Sequence, residues 1–475
     1  MKISDHIRPA DWHSVLYELL GALGLFGILF LVPFAVSLVF AETTYSWIFG
    51  PMAIGAMVAG FGIRQLDLLE REEMKLTDAL IVTALAYLLF SLLGAVPFLP
   101  IKSFLDGFFE AMSGFTTTGL TMINETTLPA SLHFFRAYSQ WLGGMGIIVL
   151  TLAILLRPGK TAFKLYSSEF GEKNILGSVV STTKAVIKVY LALTVVGFGA
   201  FALAGMGLYD ALIHIMTTIP TGGFSLYSES IGYYDSNAVS LTVSLFMVLG
   251  AISFPLYYLA AKGEIKEFFQ DHQVRTLLIL VLVGSVIFTI SFGLTPDDIV
   301  PGIFQTTTAI TTTGYNTVPT GGLPDGDKFV TILFMVIGGG TGSTAGGIKI
   351  FRLLILLAFI RVAFFRTLLP KEAKLPLKFG NLTVNEVEAE SIISFVLVYL
   401  LILIISTLGI LWLEGASLIN ALFEVSSAEG TVGMSVGMTS SAMHPVSKLI
   451  LILNMWLGRL EIMPVLVALY PKSWK

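Results

Sequence analysis

The chain has 475 residues and no cysteine, which excludes disulfide bonds, thiolate metal sites and a cysteine nucleophile. Hydrophobic residues make up 55% of it and charged residues 13%, against roughly a quarter in soluble proteins, and the mean hydropathy is +0.83. The net charge of −4 gives no indication of nucleic-acid binding, and the recurring apolar runs indicate a polytopic membrane protein.

The predicted elements begin with a retained first span, because MKISDHIRPADWHSVLYELL is too polar for a signal peptide and lacks a cleavage site. Ten stretches are long enough to cross a bilayer, near 15–40, 47–63, 78–97, 134–156, 184–205, 239–261, 274–293, 328–365, 388–413 and 445–469. Four more are apolar but too short to cross, near 105–116, 208–218, 300–311 and 417–428. These four are predicted to be buried or re-entrant helices.

Charge placement predicts that both termini are cytoplasmic. Basic residues would then gather inside: Lys2, Arg8, Arg64, Arg71, Lys75, the group 157–188, Lys262, Lys266, Arg275, the run 349–378 and the C-terminal lysines. The predicted outer loops hold only three clear lysines and are otherwise acidic: Lys102, Lys328, Lys448, Glu229, Asp235, Asp297, Asp298, Asp325 and Asp327.

A threonine- and glycine-rich motif follows each short apolar segment: FTTTGLT, IPTGGFS, ITTTGYN and, more loosely, GTVGMS. We align these copies on Gly119, Gly222, Gly314 and Gly433, at intervals of about a hundred residues. A polar residue stands nine positions before the glycine in three copies, and in the second copy His214 matches if one residue is dropped. These residues, Glu110, His214, Gln305 and Glu424, are predicted to brace their short helices.

This periodicity predicts an all-α polytopic membrane protein with four tandem span–pore helix–span repeats around a pseudo-fourfold pore. An N-terminal two-helix hairpin at 1–75 lies outside the repeat. The predicted repeats are 76–165, 166–265, 266–380 with an intramembrane loop, and 381–475.

Four such turns around one axis have the chemistry of a monovalent-cation filter. Non-helical backbone at membrane depth is tolerated where it lines an aqueous path, and glycine allows backbone angles that turn carbonyl oxygens inward. A ring of carbonyls replaces the hydration shell of an ion, whereas a divalent cation would require carboxylates that the motifs lack. Thr118, Thr221 and Thr313 are expected to add side-chain oxygens, while Val432 has no hydroxyl and keeps only its backbone carbonyl. The alternative is that these small residues only pack helices together.

The segment MVIGGGTGSTAGGIKIFR (Met335–Arg352) interrupts the third repeat's last span, because so many glycines do not sustain a helix. A nucleotide-binding loop is disfavoured since the G-x-G-x-x-G spacing and a preceding strand are missing. A packing kink remains an alternative.

Arg459 lies about midway along the predicted final span, where a charge is costly and should face the interior. It is interpreted either as a salt-bridge partner of another span, with Glu461 pointing elsewhere, or as a positive barrier in the pore. Arg136 is expected to snorkel to the outer interface.

Two alternatives to a cation channel are an enzyme and an ion-coupled secondary transporter. Ser435 lies in a G-x-S-x-G pattern that, with His444, would suit an intramembrane protease, but the fourth repeat explains that serine without catalysis. An H-E-x-x-H zinc site is missing, and we expect no enzyme. An ion-coupled secondary transporter stays open, although such proteins usually have inverted repeats and these repeats run in one direction.

Over its whole length the chain resembles the Trk-type potassium uptake proteins of the TrkH kind, in the Trk/Ktr/HKT superfamily. The resemblance rests on MSGFTTTGLT, TTIPTGGFS, ITTTGYNT, EGTVGMS, QWLGGMGIIVL, GGGTGSTAGGIKIFR and WLGRLEIMPVL. The N-terminal hairpin favours the Trk branch over the shorter Ktr branch.

The resemblance implies potassium as the transported and bound ion, since serine at the position of Gly119 goes with sodium in the family. It implies a filter of Thr118, Gly119, Thr221, Gly222, Thr313, Gly314, Val432 and Gly433. The implied gate comprises Gly338, Gly339, Gly340, Gly342, Ser343, Gly346, Gly347, Lys349 and Arg459, with Arg352 also at the loop's inner edge. It further implies a homodimer in the lipid of a prokaryotic inner membrane, resting on a cytoplasmic nucleotide-binding subunit of the TrkA kind, without a cofactor in this chain.

Overall fold

The structure, a computed structural model, describes residues 9–63, 75–155, 179–370, 377–379 and 382–474. These residues are almost entirely helical. The helices are α1 (Trp12–Val39), α2 (Thr43–Met57), α3 (Leu76–Gly94), α4 (Phe104–Phe115), α5 (Ala130–Leu155), α6 (Val179–Ala204), α7 (Leu208–Thr218), α8 (Asn237–Ala251), α9 (Phe254–Ala261), α10 (Ile265–Gln270), α11 (His272–Phe292), α12 (Ile299–Ile310), α13 (Asp325–Ile337), α14 (Ile350–Leu368), α15 (Glu386–Glu414), α16 (Leu418–Glu429), α17 (Pro445–Arg459) and α18 (Met463–Leu469). One antiparallel hairpin, β1 (Leu377–Phe379) with β2 (Leu382–Val384), is an addition to the all-α prediction.

Six helical segments among the described residues are long and apolar enough to cross a membrane: Trp12–Val39, Thr43–Gly62, Thr77–Phe98, Thr183–Ala204, His272–Phe292 and Glu388–Glu414. The pairs α8–α9 and α17–α18 meet the same criterion only together, because they bend by 94° and 119°. The segments predicted as spans at 239–261 and 445–469 are therefore broken near their middle rather than single continuous helices. The span predicted at 328–365 is divided into α13 and α14 by the glycine-rich segment, as its composition indicated.

The four short apolar segments are helices of 11 or 12 residues: α4, α7, α12 and α16. At 1.5 Å per residue a helix of this length spans about 18 Å, well short of the ~30 Å hydrocarbon core. Their C-terminal halves are buried continuously, so they lie inside the protein. Each ends where its threonine and glycine motif begins.

Buried polar contacts join distant helices at the N-terminal ends of two short helices. Lys448 Nζ on α17 donates to Asp106 Oδ1 on α4 at 2.6 Å, which links helices near the two ends of the chain. Lys328 Nζ on α13 donates to Asn420 Oδ1 on α16 at 3.2 Å. Both lysines, predicted in outer loops, are buried in the structure.

The helices α1 and α2 pack against α4 and α5 through aromatic rings. Phe26, Phe30 and Phe49 form one buried cluster with Phe115 of α4 and Phe135 of α5. The predicted boundaries at 165/166 and 380/381, and the basic residues at 2, 8, 64, 71 and 157–178, lie outside the described residues.

Candidate functional site

The four turns that follow the short helices share one backbone conformation. A threonine with φ between +50° and +55° is followed two residues later by a glycine with φ between +75° and +98°. The pairs are Thr117 and Gly119, Thr221 and Gly223, Thr312 and Gly314, and Thr431 and Gly433. Left-handed backbone is rare for a β-branched residue, so four such threonines in matching places mark one repeated structure.

This conformation corrects the alignment of the second copy by one residue. Gly223, not Gly222, takes the place of the other three glycines, and Thr221 corresponds to Thr117 rather than to Thr118. His214 then stands nine positions before its glycine, as in the other copies, and no residue has to be dropped. The spacing from His214 therefore already favoured Gly223 in the sequence, and the backbone angles confirm that alignment.

The four turns meet in a closed ring. A Cβ atom on each glycine would lie far inside van der Waals contact of the next turn's carbonyl oxygen, and the pairs repeat in cyclic order. The distances are 2.2 Å from Gly119 to Gly222 O, 1.9 Å from Gly223 to Thr313 O, 1.8 Å from Gly314 to Val432 O, and 2.2 Å from Gly433 to Thr118 O. Glycine is therefore required at these four positions by the neighbouring backbone as well as by its own φ.

The threonine hydroxyls differ from the prediction in their partners. The hydroxyls of Thr118 and Thr313 lie 2.8 Å from those of Thr116 and Thr311, which donate to carbonyls of their own short helices. Val432 has no hydroxyl. The backbone carbonyls of these positions, not their side chains, are thus the oxygens that face the adjacent turn.

Three of the predicted bracing residues, Glu110, His214 and Glu424, contact the segment after the turn. His214 also braces its own short helix as predicted, since its Nδ1 lies 2.8 Å from the Asp210 carbonyl of α7. Glu110 accepts from the Thr121 hydroxyl and the Met122 amide, and Glu424 accepts from the Ser435 hydroxyl and the Val436 amide. The partner hydroxyl lies eleven residues after each carboxylate, and His214 Nε2 lies 3.0 Å from the Ser225 hydroxyl at the same spacing.

Gln305 occupies the corresponding place in the third copy. Its amide is fully buried and makes no hydrogen bond with the described residues. Among the described residues, the third copy therefore lacks the side-chain hydrogen bonds with which Glu110, His214 and Glu424 hold the segment after their turns.

Arg136 is buried rather than snorkelling, because its charge is paired inside the protein. Its Nε donates to Glu110 Oε1 at 2.7 Å, and Nη1 donates to the Ser225 carbonyl at 3.3 Å. The guanidinium also lies 4.1 Å from the centre of the Phe224 ring. Arg136 therefore connects the segments that follow the first and second turns.

The glycine-rich segment is a buried, non-helical loop between α13 and α14. It contains every predicted loop residue: Gly338, Gly339, Gly340, Gly342, Ser343, Gly346, Gly347 and Lys349. The loop lies against the ring, since Gly346 N donates to Thr312 Oγ1 at 2.8 Å and Thr344 Oγ1 donates to the Ile219 carbonyl at 2.7 Å. A Cβ on Gly346 would lie 2.2 Å from Gly430 O, so the third and fourth turns also touch this loop.

The same loop accounts for the break between α8 and α9. Its amides at Gly340 and Thr344 donate to the carbonyls of Ala251 and Gly250, and Gly342 O accepts from Phe254 N. These hydrogen bonds replace those that a continuous helix would make, and the chain turns by 94° there.

Arg459 is the last residue of α17, not the middle of a straight span. Its Nη1 donates to the Thr344 carbonyl of the loop at 2.7 Å, and Nη2 donates to the Gly143 carbonyl of α5 at 3.1 Å. Among the described residues it has no carboxylate partner within salt-bridge distance, so none of them supports the salt-bridge interpretation. The guanidinium joins the loop to the first repeat through neutral oxygens.

Glu461 pairs with the two cations at the loop's end. Its carboxylate oxygens lie 2.8 Å from Lys349 Nζ and 2.5 Å from Arg352 Nη2. Glu461 and Ile462 have positive φ, and they form the break between α17 and α18. The second broken span is therefore also connected to the loop.

The structure does not bring the predicted protease pair together. Ser435 donates to Glu424 at 2.5 Å, while His444 Nδ1 accepts from the Val446 amide and caps α17. Both residues are occupied by structural contacts.

Gln140 is a ring contact that sequence reasoning missed. Its Nε2 donates to the Gly222 carbonyl at 2.6 Å, and its Oε1 accepts from Phe224 N at 3.2 Å. The only signal in the sequence is its place at the start of QWLGG, a motif that carries the family resemblance but predicts no role for the glutamine.

Comparisons with known proteins agree along the chain. The family model TrkH, described as a cation transport protein, matches residues 56–475. This chain is 31% and 32% identical to the Trk system potassium uptake proteins TrkH of Halomonas elongata and Vibrio parahaemolyticus. Each match covers 95% of this chain and 97% of the relative's own length. An uncharacterized cation transporter of Methanocaldococcus jannaschii is 33% identical over 97% of this chain and 96% of its own length. The crystal structure of the potassium transporter TrkH from Vibrio parahaemolyticus matches with a TM-score of 0.86 at 28% identity, covering 98% of this chain and 100% of that one.

Proposed function

We propose that this chain, which belongs to the TrkH family of cation transport proteins, takes up potassium through the ring of four turns. It is a multi-pass membrane protein with several membrane-spanning helices. Relatives named potassium uptake proteins support the choice of ion. The closed ring of glycines and carbonyls is the observation that carries the proposal.

The ring has the chemistry to select a monovalent cation. Its predicted members, Thr118, Gly119, Thr221, Gly222, Thr313, Gly314, Val432 and Gly433, include no carboxylate, so oxygen dipoles rather than charges would replace the hydration shell. Gly223 joins this set because it takes the glycine position of the second turn. The four short helices end at the ring, and their C-terminal dipoles favour a cation there.

The proposed architecture is four tandem units around a pseudo-fourfold pore, divided at 76–165, 166–265, 266–380 and 381–475 after the hairpin at 1–75. Cyclic contacts among the turns support this division, as does the pairing of Lys448 with Asp106 between the last unit and the first.

The loop from Gly338 to Lys349, with Arg459, is proposed as the gate. It touches the ring at Thr312, Gly430 and the Ile219 carbonyl, and it is connected to both broken spans. A movement of this loop would therefore change the space next to the ring and the angle of those helices together.

The proposed assembly is a homodimer in a prokaryotic inner membrane, with cytoplasmic termini and a nucleotide-binding regulatory subunit of the TrkA kind. It draws on the naming of the relatives as Trk system proteins, which are membrane components of a larger system. No cofactor is proposed for this chain itself, and potassium is its cargo.

The test is ion flux into liposomes that hold the purified protein, with potassium, rubidium and sodium compared for wild type and Gly119→Ser. We expect potassium and rubidium to pass in preference to sodium, and serine to weaken that preference by displacing the Gly222 carbonyl. Absence of cation flux from folded protein, with its partner supplied, would overturn the proposal. Flux that requires a proton or sodium gradient would instead indicate an ion-coupled transporter.

A further inference from the structure

The second turn differs from the others in the residue before its ring glycine. Thr118, Thr313 and Val432 have side chains there, whereas Gly222 has none. The space is filled from outside the turn by Gln140 of α5, because a Cβ on Gly222 would lie 2.4 to 2.9 Å from the atoms of its carboxamide. Gln140 therefore occupies the volume that a side chain takes in the other three turns.

The carboxamide of Gln140 forms two hydrogen bonds that enclose Gly223. Its Nε2 donates to the carbonyl of the preceding residue, Gly222, and its Oε1 accepts from the amide of the following residue, Phe224. These two partners fix which end of the amide is nitrogen, since only one orientation satisfies both. The side chain is fully buried, so water does not compete for these bonds.

The Gly222 carbonyl is one of the four that form the ring, and it lies against Gly119. Within the described part of the chain, the corresponding carbonyls of Thr118, Thr313 and Val432 accept no hydrogen bond. Among the described residues, the second turn is thus the one whose ring carbonyl accepts a hydrogen bond from a side chain. The peptide unit between Gly222 and Gly223 has more conformational freedom than its counterparts in the other turns, because both of its residues are glycine. The hydrogen bond from Gln140 limits that freedom.

We infer that Gln140 is a positioning residue for ion selection, which holds the Gly222 carbonyl at its place in the ring. The inference rests on the proposed function, because it assigns Gln140 a role in the same filter. Without the donor, the Gly222–Gly223 peptide is free to rotate, and one of four oxygens leaves the ion. An ion that needs all four oxygens at a defined distance loses more from that change than a competitor does.

The test compares Gln140→Met with wild type by reversal potential under opposed potassium and sodium gradients. Methionine keeps the volume and length of glutamine but has no N–H donor, so a space-filling role alone would leave selectivity unchanged. A hydrogen bond of ordinary net strength corresponds to about a 2- to 10-fold reduction in the potassium-to-sodium permeability ratio. Gln305→Met is the matched control, because Gln305 is an equally buried glutamine with no hydrogen bond to the described residues.

The outcomes separate this inference from the proposed function. Wild-type protein without cation flux refutes the proposed function, whatever the variants do. Selective wild type with unaltered selectivity in folded Gln140→Met overturns the role of Gln140 alone. If Gln140→Met does not fold, Gln140→Leu decides, since leucine lacks the donor for Gly222 O and brings neither a charge nor an O–H group into the buried site. Failure of both variants to fold, while Gln305→Met folds, would assign Gln140 to folding and not to selection.

Discussion

Replacing Gly314 with alanine should remove ion selection by displacing a carbonyl of the neighbouring turn. The new Cβ would lie 1.8 Å from Val432 O and 3.0 Å from the Gly433 Cα. Ordinary contact begins near 3.4 Å, so the oxygen must retreat by 3.4 − 1.8, or about 1.6 Å. Binding sites tolerate misplacement of roughly 0.5 Å, and the obstructing atoms are backbone, which cannot swing aside as a side chain could.

Two other glycines separate this clash from simpler effects. Gly437 has φ +92° but open space where a Cβ would go, so Gly437→Ala carries only the strain of left-handed backbone, roughly 1–2 kcal/mol. Gly322 has open space and no positive φ, so Gly322→Ala should be close to neutral. Gly314→Ala combines the strain with the clash.

The assay is the potassium-to-sodium permeability ratio in liposomes, with thermal unfolding of each purified variant measured alongside. We expect Gly437→Ala to lower the unfolding temperature and keep wild-type selectivity, and Gly314→Ala to lose selectivity. Equal selectivity in Gly314→Ala and Gly437→Ala would refute the reasoning, because the ring contact would then have no consequence for the ion.

Three further predictions concern the gate and the first turn. Arg459→Gln should raise potassium leak at least tenfold, because it removes two hydrogen bonds from a charged donor. Each such bond contributes about 1.5–3 kcal/mol. Unchanged leak would exclude Arg459 as part of the gate. Glu461→Gln leaves Lys349 without its carboxylate and should raise leak by a smaller factor than Arg459→Gln. Glu461 is 28% exposed, so water weakens this ion pair. Leak equal to wild type would show that the pair does not hold the loop. Glu110→Gln should cost up to about 3–5 kcal/mol of stability, because the buried charge of Arg136 would keep only the more distant carboxylate of Glu125, at 4.0 Å, among the described residues. The double variant Glu110→Gln/Arg136→Gln should recover part of that loss in thermal unfolding. A double variant no more stable than Glu110→Gln would contradict this account.

Local patterns in the sequence were sufficient to predict a helical membrane protein and to locate its four short helices and its glycine-rich break. Hydropathy and length separated the spans from the four short helices, because the bilayer thickness is a fixed requirement that single segments meet or fail. Glycine content was enough to place a break between α13 and α14. The need for glycine at 119, 314 and 433 also followed, since only one residue type fits left-handed backbone beside another chain segment.

Contacts between distant segments could not be predicted in this way. The pairing of Arg136 with Glu110 depends on how α5 packs on α4, and without that packing an arginine near an interface is expected to snorkel. The bends at 252–253 and 460–462 arise from hydrogen bonds and ion pairs with a loop that lies 94 residues from the first bend and 112 from the second in sequence, counted between Thr344 and Gly250 and between Lys349 and Glu461. A hydropathy plot of either span contains no sign of that partner.

The sequence by itself determined that this is a helical membrane protein with four related turns and an interrupted span, because each of these properties is local. Only the tertiary structure decided which carbonyl each of Gly119, Gly223, Gly314 and Gly433 meets, since the closed ring consists of contacts between segments far apart in the sequence. It also decided that Gln140 reaches the second turn, because a hydrogen bond across 82 residues exists only after the helices have packed.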